Sequence, residues 1–198
     1  MRTERLVLRH WHNSDREPFA RLNADGRVME FMPTVLSEQE SNSLVDRIEA
    51  HFQHHGFGLY AAELRSNSRF IGFIGLNIPT LHTAFTPCVE IGWRLAAEYW
   101  GEGLATEGAR EIVRYGFKEL NLQELVSFTV PSNARSLRVM KKLGMTHDPD
   151  DDFDHPRLPV GHPLRPHVLY RLSRSAWRLN SNFEGAPVAV EKIDTSRP

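Results

Sequence analysis

The chain has 198 residues, 40% apolar and 25% charged, enough for one domain with a substantial hydrophobic core. Lys and Arg total 24 against 25 Asp and Glu, so there is no strong field of either sign, which argues against nucleic acid or a membrane surface as main partner. The one cysteine, Cys88, excludes an internal disulfide, the N-terminus is charged rather than apolar, and no run approaches the roughly 18 apolar residues that cross a bilayer, so a cytoplasmic protein is expected.

Residues 5–10 alternate around Leu6 and Leu8 and read as a strand. Ser14-x-x-Glu17 has the form of a capping box and predicts a helix to about Asn23. A second box, Ser37-x-x-Glu40, predicts a longer helix with Leu44, Ile48 and Phe52 on one face and Gly56 as its left-handed stop. Residues 59–64 and 70–77 are strand-like and joined by the polar stretch 65–69, which predicts an antiparallel hairpin. After a loop from Pro79 to Pro87, residues 88–95 form the next strand. A helix over 104–120 then places Leu104, Gly108, Ile112, Val113 and Phe117 on one broad face, suited to packing on a sheet. Residues 124–130 read as a buried strand, Ser132 or Asn133 caps a helix to about Leu143, and Gly144 closes it. The strand–helix–strand crossover favours parallel pairing of the strands it joins. Residues 148–166 read as a long loop or lid and 167–172 as a returning strand. Residues 180–198 have no sustained period and read as a mobile tail after a single domain of residues 1–179.

The most informative stretch is 90–107, EIGWRLAAEYWGEGLATE, where an apolar strand runs through a glycine-bearing turn into a helix. Gly101 and Gly103 allow close backbone approach to a ligand, and the first free N–H groups of the following helix point outward with the positive end of its dipole behind them. This is a cradle for phosphate. It is not a P-loop: Gly103 and Gly108 have the spacing, but Ala109 and Arg110 follow instead of Lys and Ser/Thr. It fits a dinucleotide fingerprint poorly, because Thr106 stands where a third glycine is needed and residues 96–100 intervene after the strand.

The run Trp100-Gly101-Glu102-Gly103-Leu104-Ala105 resembles the acyl-CoA pyrophosphate loop of the GNAT N-acetyltransferases, with Trp100 at a position that is usually Gln or Arg. That substitution is similar to the branch of ribosomal-protein Ala/Ser N-acetyltransferases. Residues 3–9 resemble the family's first strand, Ile71-Gly72-Phe73-Ile74-Gly75 its third, residues 133–145 its post-strand helix, and Val168-Leu169-Tyr170 its last strand, so the likeness covers roughly 3–177. The resemblance implies an α/β (α+β) fold: a mixed, mostly antiparallel sheet of about six to seven strands flanked by helices, with two central parallel strands splayed around acetyl-CoA as cosubstrate. The first two helices would shape the acceptor side. Backbone amides of Trp100, Gly101, Glu102, Gly103, Leu104, Ala105 and Thr106 would hold the pyrophosphate. Unpaired amides near Arg94 and Leu95 would take the pantetheine arm and carbonyl oxygen, and Asn133 would contact pantetheine.

Acetyl transfer to an amine needs a base, because amines with pKa values from about 8 to about 10.4 are mostly protonated at neutral pH. Glu90 is the candidate: a carboxylate in an otherwise apolar strand, where partial desolvation raises its pKa. A strand Glu facing solvent and a water relay are the alternatives. The departing CoA thiolate, with a pKa near about 8.5, wants an acid; by resemblance Ser136 is that acid, with Tyr170 as a second candidate and a plain strand aromatic as its simpler role. His51 and His55 have metal spacing but no HExxH context, and the Asp148, Asp150, Asp152 series lacks the Gly and closing Glu of a calcium loop, so no metal is expected. Cys88 reads as a small buried hydrophobe rather than a nucleophile.

The expected partner is an amine-bearing acceptor, a protein N-terminus or a small molecule. A homodimer and a monomer are equally compatible with the sequence. A non-catalytic acyl-CoA sensor and a dinucleotide-dependent oxidoreductase are the competing readings.

Overall fold

The structure, a computed structural model, describes residues 1–179; the stretch read as a tail, 180–198, lies outside them. Strand β1 (Leu6–Arg9) buries Leu6 and Leu8 on one face, as its alternation predicts. A 3-10 turn at Asn13–Asp15 leads into α1 (Arg16–Ala24). The cap here differs from the expected Ser14/Glu17 box. Asp15 performs it, accepting from the His12 N–H at 2.8 Å, and the same carboxylate is held by Arg9 at 2.6 Å and 2.9 Å. One acid therefore ends the strand, starts the helix and ties the two together, while Glu17 is left exposed with Arg21 one turn on.

Helix α2 (Glu38–His55) follows its sequence signals closely. Ser37 Oγ accepts from the Glu40 N–H, Glu40 reaches back to the Ser37 N–H at 2.8 Å, and Gly56 ends the helix at φ 75°. Strands β2 (Leu59–Leu64) and β3 (Phe70–Asn77) form the expected hairpin, and β4 (Glu90–Leu95) adds antiparallel to β3. Helix α3 (Leu104–Lys118) crosses to β5 (Glu124–Thr129), and α4 (Ala134–Lys142) follows, capped by Asn133. Two short strands, β6 (Thr146–His147) and β7 (Phe153–Asp154), precede β8 (Pro166–Ser173) and α5 (Arg174–Leu179).

The sheet runs β1-β2-β3-β4-β5-β8-β6, with β7 on the end of β8: eight strands among the described residues, against about six to seven expected. Both extra strands have two residues and lie at or inside the stretch read as a loop. Every pairing is antiparallel except β4–β5, which is parallel as the crossover requires.

Helix α3 covers one face. It buries Leu104, Ala109, Ile112, Val113 and Phe117, and Gly108 admits Ile74, whose Cδ1 would stand 2.4 Å from any added Cβ. Each large apolar side chain so buried contributes roughly 1.5–3 kcal/mol. The opposite face is covered from α1, where the Phe19 ring meets Phe70 and Phe73 at 6.2 Å and 6.0 Å. Ile74 and its partner Trp93 therefore look toward α3, while Phe73 and its partner Arg94 look toward α1.

The feature that makes a site is the β4–β5 junction. The strands register at only one pair, Glu90 with Val126, backed by a 3.0 Å bond from the Val126 N–H to the Val89 carbonyl, and then part. From Ile91 onward β4 has β3 on one side and, among the described residues, no strand on the other.

Candidate active site

The parting strands open a cavity of about 440 Å³, floored by β4 and β5 and walled by the loop before α3, the first turns of α4 and the α1–α2 connection. Of the residues singled out in the sequence, Glu90, Arg94, Leu95, Trp100, Gly101, Gly103, Leu104, Ala105, Thr106, Asn133 and Ser136 all line it. Glu102 does not. Its side chain is exposed, and its carbonyl accepts from Arg5 Nη1 at 3.0 Å, which fixes the loop from outside.

The loop's hand follows from its glycines: Gly101 and Gly103 sit at φ 84° and 83°, where a side chain is strained, and an added Cβ at Gly101 would meet no protein atom within 4 Å. Gly103 is the N-cap of α3 and offers no capping side chain. The first helical bond runs from the Glu107 N–H to the Gly103 carbonyl at 3.0 Å, so the amides of Leu104, Ala105 and Thr106 remain unspent at the positive end of the helix. Glu107, the acid of that first turn, would oppose an anion. It is drawn aside by Thr3, by the Arg5 N–H at 2.8 Å and by Arg5 Nε at 2.7 Å. The cradle is thus both donor-rich and relieved of its own negative charge, and it suits a diphosphate.

Along β4 the amides alternate. The Ala96 N–H bonds the Ile71 carbonyl, which puts the Arg94 N–H on the β3 side and the Trp93 and Leu95 N–H groups on the open side. The amide expected free at Arg94 is therefore turned into the sheet, and Trp93 presents one in its place. The Leu95 carbonyl, also on the open side, accepts from the Trp100 indole at 2.9 Å. That bond accounts for a tryptophan in the loop: it folds the loop back over the end of the strand.

Glu90 stands at the apex, in the last residue pair before the strands part, with Asn77 opposite on β3. It is half-buried, with its carboxyl enclosed by the cavity walls. Desolvation pushes its pKa up to about 7, against a smaller downward pull from the Asn77 side chain. Facing it across the gap, Asn133 Oδ1 caps the Ser136 N–H at 3.2 Å, and Asn133 Nδ2 donates to Thr129 Oγ1 at 3.0 Å and Ser136 Oγ at 3.2 Å. Because Ser136 Oγ accepts there, its own O–H proton is left to point elsewhere, and the side chain faces the cavity. Tyr170, the other candidate acid, is not part of the lining: it is buried and stacked on His147 at 5.1 Å.

Sequence reasoning assigned nothing to the α1–α2 connection, yet it closes one wall. Glu30 reaches Arg135 at 2.5 Å, and the Arg135 guanidinium lies 4.4 Å over the Trp100 ring and 5.8 Å over Phe31. Arg135 follows Asn133 closely in the quoted motif, which was the one signal available.

The other constellations resolve into structural roles. His51 Nδ1 meets the Phe57 carbonyl at 2.8 Å and its Nε2 accepts from the Ile78 N–H at 3.1 Å, so both ring nitrogens are used to fasten α2 to the sheet. Asp148 caps Asp150, Asp152 bonds His147 and Asp151 pairs with Arg171. Burial, chiefly, pushes the Cys88 thiol up to about 11, far from a nucleophile's range.

Residues 5–146 match the family described as Acetyltransferase (GNAT) domain. Over 177 residues the chain is 28% identical to the uncharacterized N-acetyltransferase YnaD of Bacillus subtilis strain 168, covering 88% of this chain and 97% of that protein. A GNAT-family acetyltransferase from Bacillus anthracis superposes with TM-score 0.73 at 26% identity, over 88% of this chain and 98% of that one. Mycobacterium smegmatis RimJ, solved in complex with CoA-disulfide, shares the fold with TM-score 0.69 at 18% identity, over 89% and 88%. The open sheet, the donor-rich loop before α3 and these likenesses agree: the chain belongs to the GNAT acetyltransferase family and is an acyltransferase.

Proposed function

We propose that this protein transfers an acetyl group from acetyl-CoA directly to a primary amine, with Glu90 as general base and Ser136 as general acid. The observation that carries this reading is the position of Glu90 at the apex of the parted strands, with its carboxyl enclosed and its pKa pushed up to about 7. Acetyl-CoA, when bound, supplies a thioester-activated acyl group and a thiolate leaving group.

The remaining chemistry belongs to the chain. The unspent amides of Leu104, Ala105 and Thr106 bind the diphosphate. The Trp93 and Leu95 N–H groups, left open by the missing strand, fix the pantetheine arm and the acyl oxygen, and Asn133 adds a side-chain contact. A carboxylate with a pKa near 7 is half ionised at neutral pH and basic enough to take a proton from an ammonium group; one at the ordinary 4.5 is a far weaker base. As the amine nitrogen bonds the acyl carbon and the C–S bond breaks, the Ser136 O–H, its oxygen already accepting from Asn133, gives its proton to the departing sulfur and regains one, through water, from those the nitrogen sheds. The resemblance of the Trp100-Gly101-Glu102-Gly103 loop to the ribosomal-protein branch points to a protein N-terminus as one class of acceptor, and a small-molecule amine is the other.

The test is thiol release from acetyl-CoA over a panel of N-terminal peptides and small amines. Glu90→Gln is expected to lower kcat/KM about a hundredfold or more while CoA still binds. Wild-type rates in that variant would remove Glu90 from the mechanism, and absence of thiol release with every acceptor would favour a sensor that binds acyl-CoA without turnover.

A further inference from the structure

One group in the cavity is not used by the transfer reaction and is costly to keep there. Arg94 lies on the same face of β4 as Glu90, with Gly92 between them, and an added Cβ at Gly92 would meet nothing within 4 Å. By the strand rise, the two Cα atoms stand about 13 Å apart along one open floor. The Arg94 guanidinium lies over the Phe73 ring at 5.4 Å, donates from Nη1 to Asn23 Oδ1 at 2.7 Å and touches Met32 Sδ from Nη2 at 3.5 Å. All three partners are neutral. Among the described residues no carboxylate pairs with it, and desolvation alone pulls its pKa down to about 10, so it remains charged at neutral pH.

Arg9 and Arg171, also part-buried, differ in having acidic partners. Arg9, 17% exposed, is clamped between Asp15 and Glu63, and Arg171 between Asp151 and Glu124. A part-buried guanidinium with only neutral partners keeps a desolvation cost that a bound anion would offset. Arg94 is moreover deliberately held: Asn23, fully buried, passes Nδ2 to the fully buried Ser41 at 2.9 Å, so α2, α1 and β4 are linked to keep the guanidinium at the cavity wall. Among the described residues the only carboxylate lining the cavity is Glu90. The guanidinium is also on the α1 face of the sheet, opposite the α3 face where the diphosphate cradle lies, so the cosubstrate's phosphates are not its natural counter-charge.

We propose that the acceptor carries a carboxylate as well as its amine, and that Arg94 is the specificity-determining residue that binds it. This rests on the transfer reaction assigned above. With the amine at Glu90 and the carboxylate at Arg94, the acceptor spans several bonds between its two ends, as in an ω-amino acid or a short peptide with a free or side-chain carboxylate. Asn23 acts through Arg94 as a positioning residue.

The test compares acceptors matched except for charge: 6-aminohexanoate against hexylamine, and a dipeptide free acid against its amide. The expected result is a preference for the carboxylate member, and a fall of that preference by about ten- to a hundredfold in Arg94→Gln, with Arg94→Lys retaining part of it. As a measurement needing no variant, hexanoate should inhibit the unaltered enzyme competitively against the acceptor and not against acetyl-CoA. Equal use of charged and neutral acceptors, or a preference unmoved by Arg94→Gln together with no inhibition by hexanoate, would overturn this proposal and leave acetyl transfer intact. No thiol release with any acceptor would overturn the transfer reaction itself, and this proposal with it.

Discussion

Glu90 shows how a functional group opposes stability. Its carboxyl is protonated more readily in the folded chain than in the unfolded one, since the folded pKa is raised toward about 7 from an ordinary 4.5. The folded state therefore binds the extra proton between those values. The favourable contribution is complete below pH 4.5 and is lost as pH rises through 7. Glu90→Gln removes the titration, so its stability relative to wild type should increase from pH 5 to pH 8, by at most about 3 kcal/mol because the side chain keeps some access to the cavity. Thermal melts at the two pH values read this directly. In the wild type, kcat/KM should climb as pH passes about 7, where the base ionises, and that limb should vanish in the variant. Ser136→Ala should lower the rate of thiol release by about tenfold or more while leaving CoA affinity nearly unchanged, because the Asn133 cap of α4 uses Oδ1 and the Ser136 main chain. Glu90 was legible beforehand because a lone acid in an apolar strand is conspicuous. Arg94 was legible only as a backbone position, since nothing in the sequence around it says that Asn23, Met32 and Phe73, distant along the chain, converge on its side chain without bringing a carboxylate.

Among the elements, those with local signals were readable and those held by distant contacts were not. Helix α2 announced itself because Ser37, Glu40 and Gly56 satisfy its ends with their own neighbours; Ser37→Ala should cost about 1 kcal/mol in a denaturant titration. The start of α1 was misread because Asp15 is recruited by Arg9 as well as by the His12 N–H, and the sequence shows the cap candidates but not that pull. Strands β6 and β7 escaped because two residues have no period to read. The turn before α3 was clear, as paired glycines ahead of a strongly amphipathic helix have few other meanings. Since an added Cβ at Gly101 would strike no protein atom, Gly101→Val tests that turn through backbone hand and ligand approach alone. It should weaken CoA binding about tenfold or more by calorimetry, with far-UV circular dichroism unchanged.

For the molecule as a whole, the parallel pairing of β4 with β5 was implicit in one crossover, and the division of the sheet into two parts was expected from the resemblance alone. The antiparallel block β1-β2-β3-β4 and the block β5, β8, β6 meet at one registered pair of residues. They are also spanned by α3, by α4, by the Glu30–Arg135 contact across the mouth, and by the β3–β4 loop, where Phe85 packs on Phe128 and Phe153 and Thr80 accepts from Arg157. On the open side of the far end of β4 the Leu95 carbonyl is taken by the Trp100 indole, while the Trp93 and Leu95 N–H groups have no strand partner among the described residues. A sheet left incomplete in this way has a seam, and opening along it need not unravel either side. Deuterium uptake should reveal this: the amides of Trp93 and Leu95 should exchange orders of magnitude faster than those of Gly92 and Arg94, which are bonded to β3. Adding CoA should slow the fast pair, as a ligand arm lies along the edge that no described strand covers.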